Sequence, residues 1–261
     1  MKYGIPALVE LPFLEEAAAL CGELGLSFIE LNTNFPTQQI HLLDPVKLCT
    51  LAERYGIGYT IHLNDEMPVA DFNPKVAQGY LDAVSEAIGF ARKIGAGVLN
   101  LHLCDGPKYT MPHRKVYFYE AFRQEYLAGM ERFRDLCTQT IGDSGIRICI
   151  ENSSGFRNFH LAALELLLQS PVFGLTLDIG HDHCTGGADG AWILNHRDRL
   201  HHMHIHDAKG CQDHLPIGDG EIPMAHWLNL AQEQNCTAVL EIKTLSALRQ
   251  TAVWVREQGY L

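Results

Sequence analysis

An eight-stranded α/β barrel is the fold this chain predicts, on three observations. Short apolar runs alternate with longer helical patterns along the sequence, an order that calls for parallel strands joined by crossover helices. The length of 261 residues suits one closed barrel, which takes about 250. The glycine-rich nucleotide turn that an open, doubly wound sheet carries after its first strand is missing. The expected organisation is a single (β/α)8 TIM barrel domain over residues 1–261, without a linker or low-complexity segment.

The strands are read at YGIPALV (3–9), SFIEL (27–31), IGYTIHL (57–63), GVLNLHL (97–103), IRICIE (146–151), FGLTLD (173–178), LHHMHIH (200–206) and AVLEIK (238–243). Helical patterns lie between them. Glu15–Leu24 is rich in alanine and leucine. The pattern over Asp44–Tyr55 opens on Asp44-Pro45, an N-cap followed by proline at the first helical position. Pro74–Ile94 and Val116–Thr140 carry apolar residues at helical spacing, the latter as a Phe118, Phe122, Tyr126, Met130, Phe133 stripe read as core packing. Leu161–Leu168, Met224–Gln232 and Leu245–Glu257 complete the set, with glycines near several helix ends.

Composition narrows the partners. The net charge of -11 disfavours nucleic acid, because binding to phosphate backbones is driven by lysine and arginine. No stretch approaches the roughly 18 apolar residues of a membrane span, and the start MKYGIPALVELPF has no signal-peptide pattern. The 8 cysteines are scattered without a C-x-x-C pair. Reduced thiols in a cytoplasmic protein are the expectation.

The chemistry is expected at the C-terminal ends of the strands, where barrels of this type place their sites. Polar residues recur there between apolar neighbours: His62, His102, Glu151, Asp178, His204 and Glu241. A lone inward histidine is usually a satisfied core residue. Six consecutive strands with the same feature are harder to set aside. Three inward carboxylates cost several kcal/mol each to desolvate unpaired, and no inward arginine or lysine neutralises all three. A divalent cation would. Mixed carboxylate and imidazole donors suit manganese, zinc, iron or cobalt better than calcium or magnesium. The densest stretch is Arg199–Glu221, which holds His201, His202, His204, His206 and His214. In a strand, His202, His204 and His206 share one face.

The motifs IHL, LHL, ENSSG, DIGH, HIHDAK, HLPIGDGEIP and LEIK resemble, in order along nearly the whole chain, those of the xylose-isomerase-like barrel superfamily. That group includes sugar isomerases and epimerases and the endonuclease-four type of DNA-repair enzyme. The resemblance implies a metal at Glu151, Asp178, His204 and Glu241, with manganese or zinc expected first and cobalt or iron next. It implies Glu151 and Glu241 as acid/base catalysts. His62 and His102, with bridging Glu151, resemble a further metal position of the endonuclease branch, and His181 and His214 a third. That branch has an aspartate two residues before its His214 counterpart, where this chain has Gln212, with Asp213 adjacent. Its DNA-contacting tyrosine is Asp65 here.

The favoured function is a divalent-metal-dependent isomerase or epimerase of a small sugar or sugar-like substrate, phosphorylated or not, acting through an enediolate. The alternatives are an abasic-site phosphodiesterase of the endonuclease-four type, and a lyase or dehydratase on a sugar-derived acid or cyclitol. His206, Asn152 and Lys209 are candidate substrate contacts. Glu30 in FIELN is either a pocket residue or part of a structural polar layer. The segment 108–115 is a candidate lid, and self-association to a homo-oligomer fits the resemblance.

Overall fold

The computed structural model describes residues 1–261. Eight parallel strands close into a barrel: Lys2–Pro6, Phe28–Asn32, Gly58–His62, Val98–His102, Arg147–Glu151, Phe173–Asp178, Leu200–Ile205 and Thr237–Leu240, numbered here β1 to β8. Each pairs with its sequence neighbours, and β1 closes on β8 with Gly4 opposite Val239. All eight runs read from the sequence contain a strand, the first ending already at Pro6 and the last at Leu240. Alternation within a strand sends Ile29, Leu31, Tyr59, Ile61, Leu99 and Leu101 into the apolar layer beneath the helices. The intervening residues fill the barrel interior, as period-two geometry requires.

Several helices follow the sequence signals closely. Asp44 accepts the Val46 and Lys47 amides ahead of Pro45–Tyr55, and Gly56 closes that helix at φ 67°. Pro74–Ile94 is capped by Asn73 and ends on Gly95 at φ 71°. Both glycines occupy the left-handed C′ position that side chains avoid. Leu245–Glu257 lies where its pattern predicts.

Other segments depart from expectation. The pattern over 116–140 is not one helix. Lys115–Tyr117 is the second strand of an antiparallel hairpin with Lys108–Thr110, on the segment read as a lid. A single turn, Phe118–Ala121, follows, and Phe122 leaves helical geometry (φ -119°, ψ 49°) before Arg123–Ile141 begins. The break moves the buried face by one residue. Tyr119 is buried in place of Phe118, and Phe122 is exposed, while Tyr126, Met130 and Phe133 stay in the core. After β6 the chain forms two short helices, Ile179–Thr185 and Ala188–Asn195, that the sequence reading lacks. No helix is long and apolar enough to cross a membrane.

The pairing of β6 with β7 skips His201, since Leu175 faces Leu200 and Thr176 faces His202. The bulge turns His201 out of the interior, over Gly174, with Arg147 and Arg199 nearby. Burial, helped by the two arginines, pulls its pKa down to about 4. An unfolded histidine takes its proton near pH 6.5. The unfolded chain therefore binds the extra proton between about pH 6.5 and 4, and stability falls as pH drops through that window. His201→Gln is expected to flatten this part of the profile, measured as the urea midpoint at successive pH values.

Candidate metal centre at the strand ends

The interior of the barrel mouth is polar, and each strand contributes through its register. His102 lies opposite Glu151, Glu151 opposite Thr176, Asp178 opposite His204, and His204 opposite Val239. These pairings bring one donor atom each from Glu151, Asp178, His204 and Glu241 within 4.8 Å of one another. All four residues are buried. His204 Nδ1 stands 3.1 Å from both Glu151 Oε1 and Glu241 Oε2, and 4.0 Å from Asp178 Oδ2.

Each of these candidate donors is oriented by neighbours. Asp178 caps Ile179–Thr185, and its Oδ1 accepts the His181 amide at 2.7 Å. Glu151 Oε2 accepts from Asn100 Nδ2, and Asn100 Oδ1 in turn accepts from Thr176 Oγ1 at 2.6 Å. Glu241 Oε1 meets Lys243 Nζ at 2.6 Å. His204 Nε2 lies 2.9 Å from Glu30 Oε1, without good hydrogen-bond alignment. Glu30 also meets His202 Nε2 at 3.1 Å and accepts from Thr60 Oγ1 at 2.9 Å. Glu30 thus belongs to a buried polar layer one level below the mouth. Asn100 was invisible to sequence reasoning, because an asparagine inside an apolar strand has no distinctive signal; only its inward register beside His102 hints at it.

Two further histidines converge on Glu151 Oε2, His62 Nε2 at 3.4 Å and His102 Nε2 at 2.9 Å. Asp65 Oδ1 lies 3.7 Å from His62 Nδ1 and 3.9 Å from His102 Nδ1, so the residue standing where the endonuclease branch has tyrosine faces the same two rings. A third group is His181, His206 and His214. Asp213 joins its edge, with Oδ2 3.8 Å from His181 Nε2. His206 belongs to this group rather than to a free pocket wall: its Nε2 reaches Asp178 at 3.0 Å.

Two candidate substrate contacts are placed differently from expectation. Asn152 is fully buried, donating Nδ2 to the Asp178 carbonyl and accepting the Asp178 amide, each at 2.9 Å. Both ends of its amide extend the β5–β6 ladder by one rung. Lys209 ends the first strand of the Asp207–Lys209 and Gln212–Leu215 hairpin and is exposed. No hydrogen bond or ion pair ties it to the cluster.

The donor set fits a divalent cation. His62 Nδ1 lies 2.7 Å from the Leu63 carbonyl, which only accepts. That contact fixes a proton on Nδ1 and points Nε2 at the Glu151 carboxylate, an approach that needs a second proton or a cation between the two groups. Glu241 Oε2, His102 Nε2 and His204 Nε2 are buried without an aligned hydrogen bond. Burial alone would raise the Glu151 carboxyl, but the imidazoles of His204 and His102 hold it well below the usual range. Burial likewise opposes ionised Glu241, and His204 and Lys243 outweigh it. Burial opposes charge on His204, yet Glu151, Glu241 and Glu30 lift its pKa well above normal. For His62, burial is overcome chiefly by Glu151, and the pKa rises to about 9. The cluster requires cationic charge among its carboxylates, from protons or from a metal.

The loop after β7 is built around Asp207. Its buried carboxylate accepts the amides of Ala208, Gly218, Gly220 and Ile222 at 2.9–3.1 Å. Asp207→Asn leaves one oxygen to serve four donors. Each orphaned buried amide costs about 1–3 kcal/mol, so a loss of roughly 2 kcal/mol or more of unfolding free energy is expected in urea titration. A cleft of about 710 Å³ lined by Tyr117, Phe156, Arg157 and Asp189 lies elsewhere and shares no residue with the metal cluster.

A profile of the xylose isomerase-like TIM barrel family matches residues 18–259, and the chain belongs to that family. A D-tagatose 3-epimerase-like protein superposes with TM-score 0.79 at 24% identity, over 100% of this chain and 97% of that one. A D-psicose 3-epimerase from Clostridium cellulolyticum H10, solved with D-tagatose, gives 0.77 at 12% identity, over 100% and 99%. The IOLI protein, solved with a zinc atom, gives 0.72 at 13%, over 99% and 96%. A comparison with curated proteins finds no match.

Proposed function

We propose that this protein is a divalent-metal-dependent epimerase or isomerase of a small sugar-like substrate. One observation carries the reading: two buried carboxylates, Glu151 and Glu241, approach the same His204 nitrogen at 3.1 Å from different strands, with Asp178 completing the quartet. A bound manganese or zinc ion would polarise a substrate carbonyl and its neighbouring hydroxyl and so acidify the adjacent carbon.

The chain's own groups then divide the work. Glu151 reaches the quartet from the end of β5 and Glu241 from just past β8, and the pair suits removal of a carbon-bound proton from one face and its return to the other. Such a two-base exchange inverts one stereocentre without net change in composition. Lys243, 2.6 Å from Glu241 Oε1, favours that carboxyl as an ionised base. His181 and His214 line the rim and suit hydroxyl orientation. The structural neighbours include a D-tagatose 3-epimerase-like protein and a D-psicose 3-epimerase, which makes a ketohexose the first substrate to try.

The convergence of His62 and His102 on Glu151 favours a second reading, hydrolysis of a phosphodiester at clustered metals. One experiment separates the two. Incubating the protein with manganese and D-tagatose, D-psicose or D-fructose in D2O should place deuterium at the inverted carbon, read by NMR. Cleavage of an abasic-site oligonucleotide with no sugar exchange would overturn the epimerase reading.

A further inference from the structure

We propose that His206 is a positioning residue that ties Asp178 to the loop after β7 and holds His214 over the site in a left-handed backbone conformation. The His214 amide donates to His206 Nδ1 at 2.9 Å. A backbone N–H can only donate, so Nδ1 accepts from this shorter contact in preference to donating to the Asp207 carbonyl at 3.3 Å, and the ring proton lies on Nε2. That Nε2–H reaches the Asp178 carboxylate, at 3.0 Å from Oδ1 and 3.1 Å from Oδ2. One imidazole therefore bridges a candidate metal ligand and the backbone of the loop.

Two independent features agree. His214 has φ 54°, a region a histidine adopts at a cost of roughly 1–3 kcal/mol and keeps only when its surroundings hold it there. The hydrogen bond from the His214 amide to His206 Nδ1 and the His206 ring, stacked on the His214 ring at 4.2 Å and 7°, supply that hold. Gly180 leaves the room for it: a Cβ there would come within 1.9 Å of the His206 ring. The ring is thus clamped between β6, its following helix and the β7 loop. Through this bridge, His214 keeps Nε2 3.8 Å from Glu241 Oε2. Ordering of Asp178 by a cation and ordering of the loop become one event.

Asparagine and glutamine separate the two halves of the bridge. The Asn oxygen stands near Nδ1 and keeps the acceptor for His214; the longer Gln amide stands near Nε2 and keeps the donor to Asp178. Two quantities are measured for wild type, His206→Asn, His206→Gln and His206→Ala: Mn2+ affinity by calorimetric titration, and hydrogen exchange of the 210–216 segment in metal-free protein. His206→Asn should lose about 10- to 100-fold in Mn2+ affinity while the loop stays protected. His206→Gln should keep its affinity while the loop exchanges about tenfold faster. His206→Ala should lose both. The affinity half rests on the proposed metal site. If wild type binds no Mn2+, that reading fails, and the exchange comparison of wild type with His206→Gln still decides this one. Unchanged loop protection in His206→Gln, or parallel loss of both properties in the Asn and Gln variants, overturns the proposal.

Discussion

Protein stripped by a chelator is expected to melt well below the same protein at saturating Mn2+. Three buried carboxylates and an imidazole within 4.8 Å form a site that the unfolded chain cannot offer. At a free metal concentration of about 1,000 times Kd, binding contributes about 4 kcal/mol. For a chain of this size each kcal/mol moves Tm by about 2–4 °C, so a rise of roughly 8–16 °C is expected in a thermal melt. His204→Ala should abolish most of the rise. The sign with pH follows from His204, whose pKa lies above its ordinary value because Glu151, Glu241 and Glu30 outweigh its burial. Below its ordinary pKa the proton already supplies the charge these carboxylates need, and the cation must displace it. As pH rises through the raised folded pKa, that proton's stabilising contribution is lost and the metal takes its place. The Tm difference should therefore grow with pH.

Replacing either acid/base carboxylate by its amide is expected to reduce epimerisation by about 10²–10⁴-fold, the range of a single general acid–base group. The two variants should not be equivalent in other respects. Glu151 receives Asn100 and faces His62, His102 and His204, so Glu151→Gln disturbs three imidazoles and is expected to weaken metal binding as well. Glu241→Gln alters the surroundings of His204 but leaves Asn100, His62 and His102 on Glu151 in place. It should retain more metal and still exchange solvent deuterium into the one epimer whose hydrogen faces Glu151, without converting it. Full epimerisation by both variants in a deuterium NMR assay would remove these residues from the proton path.

Six of the eight strands were legible because each combines a β-branched or leucine-rich outer face with one polar residue near its C-terminal end. Register then does the rest: a period of two fixes which side chains enter the barrel, and parallel pairing aligns them at one height. The partners that orient those residues were less legible. Asn100 and Thr176 look like ordinary strand residues until β4, β5 and β6 stand side by side. Glu30 was recognisable as inward but not as the carboxylate shared by His202 and His204, which lie 172 and 174 residues further along the chain.

The misread helix has a local cause. Phe118 and Phe122 share helical spacing with Tyr126, but Phe122 is a joint between a hairpin and a helix, not a helical residue. Apolar spacing cannot distinguish the two when the aromatic residues beside the joint remain partly exposed. The helices after β6 escaped for a different reason. Their sequence, IGHDHCTGGADGAWILN, carries a glycine pair and few apolar repeats, and their first helix is set by Asp178 acting as both N-cap and candidate ligand. The sequence offers His206 only as a candidate substrate contact, because its two partners, Asp178 and the His214 amide, come together only through the hairpin after β7.

The central claim is that Glu151, Asp178, His204 and Glu241 jointly hold one catalytic cation. Anomalous diffraction at the manganese edge from crystals grown with Mn2+ tests it most directly. The strongest peak is expected among these four side chains and is expected to be lost in His204→Ala crystals. A strongest peak between His62, His102 and Asp65, or no peak at the quartet, would contradict it.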